Sequence, residues 1–250
     1  MYSISMLGLK VRYNHPLDIA AIIENYVLDV YRSRLINKGD TVLDLGAGIG
    51  EFSLIASTKV GSRGTFIAIE PSPDDYETLL TNLKENQCHN VIPVNVAVTD
   101  FKGELELEFK GKTFKSMCEP LRDILNERNV CKINFCKMDI EGGEKEVIPA
   151  NTNIFRGIRF LSMEIHNGYH VELIPIMERL GFRFERITKR SYIQNALKFT
   201  FRHPLKAYTL LHILKLAGEN PGFRKITKRI EIENSNNIVV GTFINRVTSN

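Results

Sequence analysis

Apolar and polar positions along the chain follow two periods, which together predict alternating strands and helices. Short β-branched and aliphatic runs indicate buried strands, whereas apolar residues three or four positions apart indicate helices. Repeated βα units of this length predict an α/β fold with a mostly parallel sheet and helices on both faces. The predicted core strands are residues 41–45, 65–69, 90–98, 134–140, 158–165, 182–187 and 237–245.

The N-terminal residues 1–38 precede the first core strand and are expected to cap one end of the sheet. Residues 6–13 alternate loosely and indicate a hairpin or an edge strand, and a helix is predicted from Asp18 at its N-cap. Further along, residues 104–109 alternate perfectly, which predicts an exposed strand with one solvated face. The length fits one α/β domain, so we expect a single domain over residues 1–250.

Residues 189–232 interrupt the βα repeat and are predicted to form a partly helical insertion before the last strand. Within them, residues 204–217 are predicted to form a helix that begins with Pro and ends before Gly218. Its apolar residues cover most of its circumference, which is unusual for a surface helix. This helix is therefore expected to pack as a lid, bind a partner or lie on a membrane surface.

The turn after the first predicted strand indicates a cofactor. Gly46, Gly48 and Gly50 follow Asp44 and precede a helix predicted from about Glu51. Glycines allow a tight turn and a close approach to a ligand, and the N–H groups at a helix start favour polar or anionic groups. The spacing is G-x-G-x-G rather than the G-x-G-x-x-G of dinucleotide folds. An acid before the glycines would repel phosphate but suits an ammonium group, so we predict S-adenosylmethionine.

Glu70 closes the second predicted strand and stands 20 residues after Gly50. That interval is typical of an acid that binds a ribose diol at the tip of the second strand. A carboxylate accepts hydrogen bonds from two vicinal hydroxyls at once. We therefore predict that Glu70 binds the cofactor ribose; a surface acid at a strand end is the alternative.

Further acids stand where predicted core strands end, which is the edge at which open α/β sheets bind ligands. Asp139 closes one strand, Glu141 follows two residues later, and Glu164 and His166 close the next strand. S-adenosylmethionine donates a methyl group, and a neutral hydroxyl accepts it poorly. A base that removes the hydroxyl proton accelerates this methyl transfer by about 10²–10⁴-fold. Asp139, Glu141 and His166 are the predicted catalytic residues; alternatively, Glu141 only favours a helix N-terminus and His166 is satisfied by backbone groups.

Two further features bear on the chemistry. A divalent ion held by Asp139, Glu164 and His166 is chemically conceivable, although we expect a site without metal. The tip of the fourth core strand reads Asp139-Ile140-Glu141-Gly142. It lacks the Asn/Asp-Pro-Pro-Tyr sequence that is common in methylases of exocyclic or amide nitrogens. We therefore favour oxygen as the acceptor atom.

Four stretches of the chain together resemble the FkbM-type S-adenosylmethionine-dependent methyltransferases, namely residues 42–50, 68–73, 95–100 and 137–144. The resemblance implies a Rossmann-like class I methyltransferase fold with a seven-stranded sheet and an antiparallel last strand. It also implies methyl transfer to a hydroxyl of a sugar, glycolipid or small metabolite. The predicted cofactor-binding residues are Asp44, Gly46, Ala47, Gly48, Gly50, Glu51, Phe52, Glu70, Pro71, Ala97 and Asp139.

The net charge of +4 is weak, but it is distributed unevenly. Residues 189–230 carry ten Lys and Arg side chains against a single acid, Glu219, so the rest of the chain is acidic overall. Such a segment suits an anionic partner, which could be RNA, a phosphorylated acceptor or a membrane surface. RNA methylation is accordingly the alternative function; a solvated basic arm is the simplest interpretation of the segment.

Cysteine usage and hydropathy indicate a cytoplasmic protein. The four cysteines match no zinc spacing and are scattered, which is typical of a reducing compartment. No uncharged apolar run approaches the ~20 residues of a membrane span. The N-terminus lacks the basic start and apolar core of a signal peptide.

Overall fold

A computed structural model describes residues 1–205 and 238–246 of the chain. The strands in these residues are β1 (Tyr2–Met6), β2 (Leu9–Tyr13), β3 (Thr41–Leu45), β4 (Thr65–Ile69), β5 (Val91–Val94), β6 (Ala97–Thr99), β7 (Gly103–Phe109), β8 (Lys112–Pro120), β9 (Phe135–Met138), β10 (Phe160–Ile165), β11 (Phe182–Arg186) and β12 (Val239–Asn245). The helices are α1 (Pro16–Tyr26), α2 (Glu51–Val60), α3 (Pro73–Glu85), α4 (Leu121–Glu127), α5 (Glu144–Ala150), α6 (Thr152–Arg156), α7 (His170–Arg179) and α8 (Lys189–Arg202).

Seven strands form the main sheet in the order β11-β12-β10-β9-β3-β4-β5. The pairs from β10 to β5 are parallel, and β12 runs antiparallel to both β10 and β11. This confirms the predicted seven-stranded, mostly parallel sheet with an antiparallel last strand. The strand order reverses between β3 and β9, which opens a crevice beyond their carboxyl ends.

Apolar side chains cover both faces of this sheet, because each central strand is buried on two sides. Along β3, Val42 faces the cluster that contains α1, α2 and α3 residues, whereas Leu43 faces the cluster of α4 to α7. On the first face, Phe52 of α2 stacks on Phe135 of β9 with ring centroids 5.9 Å apart. Burial on both faces explains why these strands are continuous apolar runs rather than alternating ones.

The N-terminal cap consists of the β1–β2 hairpin, which pairs from Tyr2 to Tyr13, and helix α1. Of the two alternatives for residues 6–13, the structure forms the hairpin, although it begins at Tyr2. The N-cap prediction for Asp18 is wrong. Helix α1 begins at Pro16 after His15, and the Asp18 carboxylate accepts hydrogen bonds from the backbone N–H groups of Asn14 and His15 at 2.9 and 2.8 Å. Proline is compatible with the first helical turn, since its missing N–H has no partner there.

A second sheet of three strands, in the order β6-β8-β7, stands beside the main sheet. The predicted strand at residues 90–98 is divided, because only β5 belongs to the main sheet and β6 pairs with β8. Between the two, the Asn95 amide donates to the carbonyl oxygens of Glu70 and Pro71 at 2.8 and 3.2 Å. Strand β7 confirms the alternating pattern at residues 104–109, while its partner β8 was not predicted.

Helix α8 opens the predicted insertion at residues 189–232, and its inner face packs on the core through Phe199. Most of the predicted apolar helix at 204–217, and most of the basic segment at 189–230, lies outside the described residues. Among the helices that are described, none combines the length and apolar character needed to cross a membrane.

Candidate active site

A cavity of about 410 Å³ opens at the carboxyl ends of β3, β4 and β9, within the size range of small-molecule sites. Helix α1 and the β7–β8 hairpin form its outer walls. Seven of the predicted cofactor residues line it: Gly46, Gly48, Glu51, Glu70, Pro71, Ala97 and Asp139. The other four are buried and lie outside its lining: Asp44, Ala47, Gly50 and Phe52.

The glycine turn brings the end of β3 against the end of β9. Gly46 has a φ of +77°, and a Cβ atom there would lie 1.8 Å from the backbone oxygen of Asp139. The Asp139 N–H in turn donates to the carbonyl oxygen of Leu45 at 2.9 Å. Only glycine fits this contact, so the turn fixes the position of Asp139 at the cavity floor.

Glu70 stands at the tip of β4 and is held by the glycine turn. Its carboxylate accepts hydrogen bonds from the backbone N–H groups of Gly48 at 2.7 Å and Ser72 at 2.8 Å. Burial and the charge of Asp75 raise the pKa of Glu70 to about 7, although both hydrogen bonds act in the opposite direction. Each carboxylate oxygen can accept a further hydrogen bond, as a ribose diol requires.

Asp44 lies behind the glycine turn rather than on the cavity wall. Its Oδ2 accepts a hydrogen bond from the Ser53 hydroxyl at 2.7 Å, and its Oδ1 lies 3.3 Å from the Lys137 ammonium. Lys137 also donates to the carbonyl oxygen of Gly46. Burial lowers the pKa of Lys137, but Asp44 and Asp139 outweigh this and raise it, so the ammonium stays charged.

Sequence reasoning missed Lys137, although it is the one charged residue within strand β9. Its ammonium lies 5.2 Å from the centre of the Tyr31 ring, so it is enclosed on several sides. A buried charge of this kind persists only where it is paired. Lys137 therefore joins the glycine turn to Asp44 behind it.

A cluster of acids surrounds His166 at the ends of β9 and β10. Its Nε2 lies 3.3 Å from Glu164 Oε1, 3.4 Å from Glu141 Oε2 and 3.7 Å from Asp139 Oδ1. On the other side of the ring, Nδ1 lies 3.2 Å from Glu144 Oε1. The structure thus brings the three predicted catalytic residues together; Asp139 and Glu141 line the cavity, and His166 contacts both from behind.

The carboxylates around His166 keep its imidazole protonated when no other group contacts the ring. Burial lowers the pKa of His166, but hydrogen bonds with Glu144 and Glu164 and the charge of Asp139 outweigh it. Together they raise the pKa of His166 to about 11. An imidazolium holds and orients carboxylates, and it has no lone pair for a proton.

Glu51 adds a buried acid to the cavity wall at the first position of α2. Burial raises the pKa of Glu51 to about 8, although the charge of Lys137 acts to lower it. Its Oε2 is buried without a hydrogen-bond partner. This carboxyl group is therefore available to a ligand in the cavity.

The cavity mouth is tied by a pair of ion contacts that the sequence did not indicate. The Lys110 ammonium, at the turn between β7 and β8, lies 2.6 Å from both Asp18 of α1 and Asp75 of α3. All three side chains are largely buried. The hairpin is thereby joined across the mouth to two helices.

The chain has the fold of a Rossmann-like methyltransferase: a seven-stranded sheet with an antiparallel last strand and a cavity beyond the carboxyl ends of the strands. The chain belongs to the FkbM methyltransferase family, since the model of the methyltransferase FkbM domain matches residues 44–184. Membership makes S-adenosylmethionine the expected cofactor.

Three curated relatives match parts of the chain. The hexuronic acid methyltransferase AglP of Haloferax volcanii is 30% identical over 143 residues, which are 52% of this chain and 58% of the relative. A tRNA(Phe) (4-demethylwyosine(37)-C(7)) aminocarboxypropyltransferase of Methanocaldococcus jannaschii is 30% identical over 46% of this chain and 48% of its own. The 23S rRNA (uracil(1939)-C(5))-methyltransferase RlmD of Acinetobacter baylyi is 31% identical over 36% of this chain. The chain spans between 20% and 58% of the length of these relatives.

Solved structures resemble the chain more distantly. A precorrin-6y C5,15-methyltransferase of Geobacter metallireducens has a TM-score of 0.45 and 15% identity, covering 65% of this chain and 74% of its own. A SAM-dependent methyltransferase of Aquifex aeolicus has a TM-score of 0.43 and 14% identity, covering 70% of this chain and 93% of its own.

Proposed function

We propose that the chain is an S-adenosylmethionine-dependent O-methyltransferase that acts on a hydroxyl of a sugar, glycolipid or small metabolite. One observation carries the proposal: Glu70 at the tip of β4 and Asp139 at the end of β9 line the same cavity. Glu70 suits the ribose diol of the cofactor, and Asp139 suits the reacting hydroxyl of the acceptor. Both requirements of the reaction are then met within one cavity.

The residues present fit the cofactor. Glu70 would accept the ribose hydroxyls, and the backbone of Gly46 and Gly48 lines the cavity beside it. The buried Oδ1 of Asp139, which has no hydrogen-bond partner, would attract a cationic ligand. When bound, S-adenosylmethionine supplies a methyl group on a positively charged sulfur. A cavity lined by acids stabilises that charge and disfavours a dinucleotide pyrophosphate.

Asp139 and Glu141 are the bases we assign to the acceptor. The Tyr31 hydroxyl donates to Asp139 Oδ2 at 2.7 Å, which fixes the carboxylate. Its other oxygen, Oδ1, is buried without a hydrogen-bond partner and could accept a hydroxyl from the acceptor. Glu141 is 57% exposed, so a proton taken there can pass to solvent. The chain therefore orients the hydroxyl and receives its proton within one group of side chains.

The proposed acceptor class draws support from the likeness to AglP and from the charge of the cavity. Glu24, Glu108 and Glu146 also line it, in addition to the cluster acids. Phosphate groups would be repelled where so many carboxylates meet. A neutral sugar hydroxyl avoids this repulsion.

RNA methylation is a second candidate, which the basic segment at residues 189–230 and the RNA-modifying relatives favour. Binding that depended on several Lys and Arg side chains would weaken steeply with salt. Titration of the full chain with tRNA and rRNA fragments between 50 and 200 mM salt tests it. Absence of binding at low salt would remove this candidate.

Calorimetric titration with S-adenosylmethionine tests the cofactor assignment. We expect one site per chain and at least a tenfold loss of affinity in Glu70→Gln, because the amide replaces one acceptor oxygen with a donor. Glu77→Gln, at an exposed position of α3 outside the cavity lining, is the matched control and should bind as the unmodified chain does. Unchanged affinity in Glu70→Gln, or preference for NADH, would count against the proposal.

A further inference from the structure

Three side chains at the ends of β9 and β10 bring potential metal ligands together. One ligand atom each from Asp139, Glu164 and His166 lies within 4.8 Å of the other two. His166 Nε2 is 3.3 Å from Glu164 Oε1 and 3.7 Å from Asp139 Oδ1. Ligand atoms about 2.1 Å from one divalent ion stand about 3.0–3.5 Å apart, so an ion fits after small side-chain shifts.

The remaining polar atoms of these residues are held by neighbouring groups. The Tyr31 hydroxyl donates to Asp139 Oδ2 at 2.7 Å and lies 3.5 Å from Glu164 Oε2. Behind the imidazole, Glu144 Oε1 lies 3.2 Å from Nδ1 of His166. Carboxylates behind a ligating histidine fix its ring and tautomer in metal sites, and this arrangement matches that requirement.

The cluster also carries unsatisfied negative groups. Asp139 Oδ1 and Glu144 Oε2 are buried without a hydrogen-bond partner, and the Glu144 side chain is fully buried. Such groups cost free energy unless a cation or donor meets them. The nearby ammonium of Lys137 already contacts Asp44 and Gly46. A divalent ion would offset the remaining charge.

We propose that Asp139, Glu164 and His166 bind a divalent first-row metal ion, which coordinates the acceptor hydroxyl. Carboxylate oxygens suit Mn²⁺, and an imidazole nitrogen suits Zn²⁺ or Fe²⁺. When the ion binds, the Nε2 proton of the His166 imidazolium leaves to solvent. Glu144 is a positioning residue that accepts the hydrogen bond from His166 Nδ1–H and directs Nε2 to the ion. The ion site rests on these contacts alone, whereas its role toward the acceptor rests on the proposed function.

The ion explains how an acidic cavity could accept a polar sugar. A cation among the acids would offset their charge beside the oxygen lone pairs of the acceptor. Coordination also lowers the pKa of a bound hydroxyl, as metal ions do for bound water. With Asp139 bound to the ion, Glu141 is the remaining base: the released proton passes to Glu141, whose Oε2 lies 3.4 Å from His166 Nε2, and the electron pair stays on the acceptor oxygen.

Titration of the metal-stripped full chain with Mn²⁺, followed by the loss of the free-ion EPR signal, tests the site without cofactor or acceptor. We expect one Mn²⁺ per chain. Affinity should fall at least tenfold in Glu164→Gln, which removes a ligand, and about 10–100-fold in Glu144→Gln, which removes the support of the ring. Glu178→Gln, at an exposed position of α7 outside the cavity lining, is the matched control and should leave affinity unchanged.

Two results would overturn the metal site: no stoichiometric binding of Mn²⁺, Co²⁺ or Zn²⁺, or equal affinity in Glu164→Gln and the unmodified chain. S-adenosylmethionine affinity of every variant, measured in parallel, reports whether the variant is folded. Retained cofactor binding without metal binding rejects the ion and leaves the proposed function standing. Metal binding without cofactor binding rejects the proposed function and leaves the ion site standing.

Discussion

Glu70 shows how a single residue joins the turn to the ligand. Its carboxylate bridges the backbone N–H groups of Gly48 and Ser72, so it stabilises the turn before any ligand arrives. The acid was predictable from its interval after the glycines. The raised pKa of Glu70 was not predictable, because its burial beside Asp75 depends on how α3 packs.

The pKa of Glu70 predicts that cofactor affinity depends on pH. Ribose hydroxyls donate to the ionised carboxylate, so affinity should be full above about pH 7 and fall by up to about tenfold per unit below it. Calorimetry between pH 5.5 and 8.5 measures this, with Glu70→Gln expected to show a flat profile. A pH-independent affinity in the unmodified chain would contradict the assignment.

Glu51 predicts a stability change with pH in the ligand-free chain. Its folded-state pKa of about 8 lies above the ordinary 4.5, so its contribution is full below pH 4.5 and lost as pH rises through 8. Glu51→Gln should therefore raise the free energy of unfolding at pH 8.5 by roughly 2–5 kcal/mol, with little change near pH 5.

Urea unfolding at both pH values checks the Glu51 prediction, with the exposed Glu146→Gln as control. A substitution that destabilises the chain equally at pH 5 and pH 8.5 would show that the Glu51 carboxyl is not held in its uncharged form.

At the scale of elements, the β7–β8 hairpin is the part of the site that the pattern of apolar and polar residues could not fully predict. Alternation predicted β7, but it could not show that β8 pairs with it or that Lys110 reaches Asp18 and Asp75. Those contacts join residues far apart in sequence. Likewise, the division of residues 90–98 into β5 and β6 depends on Asn95, whose partners come from the preceding strand end.

Lys110 is predicted to hold the hairpin, and neighbouring Lys112 provides a matched control. Lys110→Ala leaves the buried carboxylates of Asp18 and Asp75 unpaired, which should cost about 3 kcal/mol of unfolding free energy. Lys112 pairs with Asp74 at the exposed surface, so Lys112→Ala should cost less than about 1 kcal/mol. Urea unfolding distinguishes them, and equal losses would argue against a structural role for the Lys110 contacts.

On the scale of the whole molecule, the strand order explains why the distant acids converge. Asp44, Glu70, Asp139 and His166 come from four strands or strand ends that stand next to one another in the sheet. The βα repeat predicted this edge as the site. It could not separate Asp44, which lies behind the turn, from Asp139, which lines the cavity, because that depends on side-chain direction.

The most direct test of O-methylation is to locate the methyl group in the product. The full chain is incubated with methyl-labelled S-adenosylmethionine and matched fractions of glycans, small hydroxylated metabolites and RNA, and the product is analysed by mass spectrometry and NMR. We predict label on an oxygen of a sugar or metabolite, abolished in Asp139→Asn and retained in the exposed Glu178→Gln, which lies outside the cavity lining. Label on a nitrogen or carbon atom, or in RNA alone, would contradict this function.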